Sequence, residues 1–133
     1  MRVVLDTNVL LSALFTRGIC EALLDALLES ETCRVVLSEH ILAEFRGHAA
    51  KKFGAPADEV ERAVDLLRQR VEIVEPAPLS PDACTDPDDL PVLGTGVAGR
   101  ADVLVTGDGE LLVLREVLGM PILSPRDLYE RLR

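Results

Sequence analysis

Two short apolar runs, each leading into an aspartate, constrain this chain more than any other feature. Arg2-Val3-Val4-Leu5-Asp6-Thr7-Asn8 lies near one end and Val103-Leu104-Val105-Thr106-Gly107-Asp108 near the other. Short β-branched runs stopped by a polar turn read as buried parallel strands. In open α/β sheets the functional site lies outside the carboxyl ends of such strands, where Asp6 and Asp108 are expected. A carboxylate there has little structural work to do, so two of them point to a hydrolytic metal site.

Between these runs, helical and strand patterns alternate. Val9 to Phe15 reads as a short helix, and Glu21 to Leu28 as a second with leucines at helical spacing. Cys33 to Val36 follows as a strand, and Ser38 fits an N-cap for a helix with Ile41, Leu42 and Phe45 on its apolar stripe. Gly54 ends that helix, and Pro56 opens another that carries Val60, Ala63, Val64 and Leu67. Val71 to Val74 reads as a short strand. Glu75 to Pro87, with prolines at 76, 78, 81 and 87, is the one long loop. A helix is expected next, then the Val103–Val105 strand, a helix over Glu110–Val117 and a strand over Met120–Leu123. Ser124-Pro125-Arg126-Asp127 caps the last helix, with serine at the cap, proline at the first position and an acid at the third. This order predicts one α/β domain over 1–133, a three-layer α/β/α sandwich around a central, mostly parallel sheet.

Composition narrows the function. With 133 residues, 48% of them hydrophobic, the chain can bury a sizeable core and leaves no room for a second domain. Neither a signal peptide nor a membrane span is expected, so the sequence predicts a cytoplasmic protein without membrane association. Cys20, Cys33 and Cys84 are odd in number and widely spaced, which favours free or buried thiols over a zinc site or disulfides. The formal charge of −9 argues against a broad basic face for nucleic acid. It leaves room for an acidic site that holds divalent cations, and it suits a basic protein partner.

Two further groups of acids are candidates. Glu44 sits one turn beyond Ile41 and beside Phe45, which makes it semi-buried. Asp86-Pro87-Asp88-Asp89 stands at a helix start, where Pro91 must fall in the first turn and Asp88 or Asp89 at or next to the cap. Acids at helix N-termini are routine caps that interact well with the dipole. Four gathered carboxylates have a different consequence. Two ionised groups about 5 Å apart repel by roughly 3 kcal/mol at an effective dielectric near 20. Several such pairs approach the whole stability of a domain, on the order of 5–15 kcal/mol. A cluster of this kind must take up protons or bind cations, and hard oxygen donors suit Mg²⁺ or Mn²⁺.

The segments Leu5-Asp6-Thr7-Asn8, Leu37-Ser38-Glu39 with Leu42-Ala43-Glu44, Asp86-Pro87-Asp88-Asp89, and Ala101 to Asp108 followed by Glu110-Leu111-Leu112 occur in an order and spacing that is familiar. Together the chain resembles the PIN-domain ribonucleases, a family that includes the VapC-type toxins of bacterial toxin–antitoxin pairs, and the likeness runs nearly end to end. The resemblance implies that Asp6, Glu44, Asp89 and Asp108 are metal ligands and catalytic acids. Glu110 takes the place of an occasional fifth acid, and Asp86 is a rival to Asp89. Thr7, Asn8 and Thr106 match polar residues that line or support the site. The implied activity is Mg²⁺- or Mn²⁺-dependent endonucleolytic cleavage of RNA, by a toxin held inactive by a cognate antitoxin and pairing as a homodimer.

The chain departs from the family pattern after the third aspartate, where Leu93-Gly94-Thr95-Gly96-Val97-Ala98-Gly99 replaces more usual alanines or acids, and Leu90 stands where relatives often have a polar residue. Each interior glycine costs a helix about 1 kcal/mol relative to alanine, so the helix presenting Asp89 is expected to be kinked or loose. That expectation carries the alternative reading: a catalytically weak or inactive PIN-like binding protein, acting through an antitoxin or RNA partner. The same stretch spells G-x-G-x-x-G, but the dinucleotide fingerprint needs a strand before it and a helix opening after it, and the order here is wrong. His40, Glu44 and His48 share one helix face without the spacing of a zinc protease, and the histidines read as solvent-facing. Lys51, Lys52, Arg62, Arg68 and Arg70 read as solvated charges unless an RNA path crosses them. A haloacid-dehalogenase-type phosphatase wants an aspartate where Asn8 stands. A phospho-receiver domain wants a late lysine, and the only lysines are 51 and 52.

Overall fold

A computed structural model describes residues 1–133. The elements run β1 (Arg2–Leu5), α1 (Thr7–Phe15), α2 (Ile19–Glu29), β2 (Arg34–Leu37), α3 (Glu39–Phe53), α4 (Ala57–Arg70) and β3 (Glu72–Ile73). Two 3-10 turns, Pro81–Ala83 and Pro87–Asp89, lead into α5 (Leu90–Ala98), β4 (Val103–Val105), α6 (Gly109–Leu112), β5 (Glu116–Val117), β6 (Met120–Leu123) and α7 (Pro125–Leu132). The six strands lie in the order β3-β2-β1-β4-β6-β5. All pairs are parallel except β5 with β6, and helices cover the sheet to give the three-layer α/β/α arrangement.

The β-branched runs form the middle of the sheet. Val3, Val4 and Leu5 pair with Val103, Leu104 and Val105 on one side, and Arg2, Val3 and Val4 with Arg34, Val35 and Val36 on the other. Val3, Val4, Leu5, Leu104 and Val105 are fully shielded from solvent, as strands covered on both faces require. The chain leaves β1 toward β2 on one side and later returns to β4 on the other. The carboxyl ends of β1 and β4 therefore flank the point where the strand order reverses, the crevice in which open α/β sheets bind ligands.

Several boundaries differ from the sequence expectation. The first helix opens at Thr7 because Asp6 itself serves as its N-cap, accepting from the Thr7 N–H. Pro56 sits at the cap position of α4, and Ala57 is the first helical residue. The helix expected over Glu110–Val117 stops at Leu112, and Glu116–Val117 forms a strand antiparallel to Met120–Pro121. The connection is a tight turn in which Leu118 and Gly119 both have positive φ, 50° and 81°, as a type I′ hairpin needs. Hairpin pairing to a sheet edge thus overrides the helical propensity of the Leu-rich stretch.

The glycine-rich helix is also not what propensity predicts. Residues 90–98 form a continuous α-helix, and its glycines are sites of close approach. A side chain at Gly94 would collide with the Ala77 carbonyl, one at Gly96 with the Met120 thioether, and one at Gly99 with Val36 Cγ1 at 2.6 Å. Gly94 also accepts a hydrogen bond from the Ala77 N–H (3.0 Å). Between the glycines, fully buried Thr95 donates to Pro91 O (2.7 Å), and its hydroxyl oxygen lies 2.8 Å from Ser38 Oγ. The three cysteines are free thiols, and no helix is long and apolar enough to cross a membrane.

Candidate metal centre

The site grows from the end of β1. Asp6 is only 7% exposed, and both of its oxygens are held. Oδ1 accepts from the Thr7 N–H at 2.7 Å, and Oδ2 from the Thr106 hydroxyl at 2.7 Å. The Asp6 N–H donates to Val105 O (2.9 Å), which ties the first residue after β1 to the last of β4. The parallel register makes this local geometry inevitable once Leu5 pairs with Val105.

Two threonines extend the network in opposite directions. Thr7 Oγ1 donates to Glu44 Oε1 at 2.8 Å, which links α1 to the middle of α3. Thr106 Oγ1, while donating to Asp6, accepts from the Asp108 N–H at 3.0 Å. Asp108 Oδ1 in turn caps α6 by accepting from the Glu110 N–H (2.9 Å). Gly107 N–H reaches Asn8 Oδ1 at 3.4 Å. Neutral donors thus hold three carboxylates: Asp6 by the Thr7 N–H and the Thr106 hydroxyl, Glu44 by the Thr7 hydroxyl, and Asp108 by the Glu110 N–H.

These residues open into a cleft of about 170 Å³ lined by Asp6, Thr7, Asn8, Leu11, Glu44, His48, Lys52, Asp89 and Asp108. Asp89 arrives from the N-terminus of α5, and its side chain makes no capping bond. Asp86 is engaged elsewhere, since its Oδ1 accepts from the Asp88 N–H (2.9 Å) and caps the Pro87–Asp89 turn. Neither Asp86 nor the exposed Glu110 lines the cleft, and Thr106 lies beneath it, fully buried.

The electrostatics follow from burial and crowding. Desolvation raises the Asp6 pKa above the ordinary carboxylate value, aided by Glu44 and Asp108, while the bonds from Thr106 and Thr7 pull it down. Asp89 is pushed up to about 6, first by burial and then by the charges of Asp6, Asp108, Asp86 and Glu44. Asp89 has no side-chain hydrogen bond to offset this, so nearby positive charge would relieve it.

Sequence reasoning read the histidines as solvent-facing, and the structure corrects this. His40 and His48 are both partly buried. His40 Nε2 is shielded from solvent and lies 3.4 Å from Glu44 Oε1, but without the alignment of a hydrogen bond. His48 and Lys52 enter the wall of the acidic cleft. The signal for them was present: they follow Glu44 at i+4 and i+8, so a helix that turns Glu44 to the cleft turns them there too. A larger hollow of about 420 Å³ is lined by Glu39, His40, Leu90, Pro91 and the Glu75–Leu79 segment, and it shares no residue with the acidic cleft.

The donors suit a hard divalent cation. No three Asp, Glu, His or Cys side chains converge into a ready-made cage, but an open set of carboxylates in which burial and mutual repulsion disfavour the Asp89 charge is of the right chemistry. Mg²⁺ in particular keeps several waters and binds through one or two carboxylates rather than an all-protein cage. Asp6, Glu44, Asp89 and Asp108 are the residues available to hold it.

Comparison with known proteins agrees with this architecture. The family model for the PIN domain matches residues 2–110. No curated protein has a sequence that matches this one. Among solved structures, the fold is similar to VapBC2 from Rickettsia felis bound to a DNA fragment from its promoter, with 17% identity over 93% of this chain and 98% of that one, TM-score 0.66. It is similar also to VapBC-1 from nontypeable Haemophilus influenzae, with 20% identity over 95% and 99%, TM-score 0.65. FitAcB from Neisseria gonorrhoeae gives 17% identity over 93% and 98%, TM-score 0.57. The chain belongs to the PIN domain family.

Proposed function

We propose that this protein is a Mg²⁺- or Mn²⁺-dependent endoribonuclease that hydrolyses RNA phosphodiester bonds, and that it acts as the toxin of a toxin–antitoxin pair. The observation that carries the reading is the gathering of Asp6, Glu44, Asp89 and Asp108, from four distant segments, around one cleft at the switch point of the sheet. When bound, a divalent ion supplies Lewis-acid charge for in-line displacement at phosphorus. The chain's own part is to orient donors. The Thr7 N–H and Thr106 hydroxyl lock the Asp6 carboxylate, and the Thr7 hydroxyl turns Glu44 toward it. Asp89, free of donors, has both oxygens available to the cleft. A cognate antitoxin is the expected partner, because the similar folds were solved as VapBC and FitAcB assemblies; a homodimer is the expected state.

The reading in which the fold has lost cleavage drew its support from a loose glycine helix. The continuous α5, packed through those glycines, removes that support. The test is cleavage of single-stranded RNA with Mg²⁺ or Mn²⁺ by wild type, Asp6→Asn and Asp108→Asn. Both variants are expected to lose at least about a hundredfold in rate, the scale of losing one preorganised electrostatic group. Equal residual activity in all three proteins defeats the proposal. An independent measure is a Mg²⁺-induced rise in Tm that Asp6→Asn diminishes.

A further inference from the structure

We infer that His48 and Lys52 form a phosphate subsite, which holds the RNA backbone beside the acids that flank the cut. The inference rests on the ribonuclease reading and adds to it the means of holding a polyanion. A cleft walled by four carboxylates, in a chain of net charge −9, repels RNA over most of its approach. Lys52 is the one lysine or arginine in that wall. It has no ion-pair partner, whereas Arg2, Arg46, Arg62 and Arg68 are each committed to Glu72, Glu61, Asp58 and Glu39.

Helix geometry sets the distance at which such a subsite works. His48 and Lys52 stand one and two turns beyond Glu44 on the same face of α3, about 6 and 12 Å along its axis. That is the reach of neighbouring phosphates along a strand, not of the phosphate being cut. An ammonium on a flexible stem suits a point contact to phosphate oxygen, and an imidazole N–H adds a second donor. Because Lys52 lies on the open rim while the acids lie deeper, the contact is to the sugar–phosphate backbone and is indifferent to sequence.

The test compares wild type, Lys52→Gln, Lys52→Arg, His48→Gln and, as a control on a neighbouring exposed lysine outside the cleft, Lys51→Gln. Cleavage of a single-stranded RNA is followed with Mg²⁺ across a range of salt, and binding of the same labelled RNA by anisotropy with Ca²⁺ in place of Mg²⁺. Lys52→Gln is expected to raise KM about tenfold with kcat within about twofold, and to reduce the salt slope of binding by about one. Lys52→Arg restores most of the loss, His48→Gln gives a smaller rise in KM, and Lys51→Gln changes neither. An unchanged salt slope and KM in Lys52→Gln overturns the inference, as does a fall in kcat at constant KM, which places Lys52 among the acids' counter-charges. A wild type that binds RNA with the Lys52-dependent slope but never cleaves it defeats the ribonuclease reading and leaves the subsite standing.

Discussion

Asp89→Asn should make the metal-free protein more stable at neutral pH. The side chain makes no capping hydrogen bond, so the amide forfeits no partner. A pKa pushed up to about 6 from an ordinary 3.8 corresponds to about 3 kcal/mol of unfavourable charge in a dry site. Solvent reaches this half-exposed carboxylate, which cuts the figure to about 1 kcal/mol. Loss of a negative charge at the start of α5 works the other way, by about 0.3 kcal/mol or somewhat more. The net gain of roughly 0.5–1 kcal/mol raises Tm by about 2–5 °C in a domain of this size. Because the folded pKa is raised, the proton on Asp89 stabilises the fold below the ordinary carboxylate range, and that contribution is lost as pH rises through about 6. The gap between variant and wild type therefore opens between about pH 4 and pH 6.5 and is nearly closed at the acid end. Thermal melts in EDTA at pH 4.5 and 7.5 measure it. A variant that is less stable at pH 7.5, or a gap that ignores pH, refutes the reasoning that burial and the neighbouring acids disfavour the Asp89 charge.

Thr106→Val removes the hydroxyl that donates to Asp6 Oδ2 and accepts from the Asp108 N–H; it should cost about 1.5–3 kcal/mol, the scale of a bond to a buried charge, read as a lower urea midpoint at unchanged m. Gly94→Ala and Gly47→Ala should differ in sign. At Gly47 a methyl group meets nothing within 4 Å, so denaturation should show a gain of about 0.5–1 kcal/mol from helix propensity. At Gly94 the methyl runs into the Ala77 carbonyl, and the strain should cost about 1–3 kcal/mol. Leu118 is 72% exposed at φ 50° ahead of Gly119, so Leu118→Asn, which completes an Asn-Gly turn, should raise Tm by a few degrees, roughly 0.5–1 kcal/mol.

The parts of the fold that were legible are those decided by local pattern. Val3-Val4-Leu5 and Val103-Leu104-Val105 announce buried strands by composition alone, and a polar stop after each places Asp6 and Asp108 at the carboxyl edge. The parts that were not legible depend on what a segment meets. Glu116-Val117 becomes a strand because Met120-Pro121 is there to pair with it. Lys52 reads as one more solvated charge until α3 is docked with Glu44 inward. The glycines of α5 show the difference most clearly, since propensity scores an isolated helix and predicts weakness. In the folded chain their bare backbones let α5 lie against the Ala77 carbonyl, Met120 and Val36. The Asp89 side chain makes no hydrogen bond that holds it in the cleft, so its position is inherited from how deeply α5 is seated. The residues that propensity marks as loosening the third carboxylate are therefore the ones that bring it within reach of Asp6 and Asp108, and a bulkier helix would carry it outward.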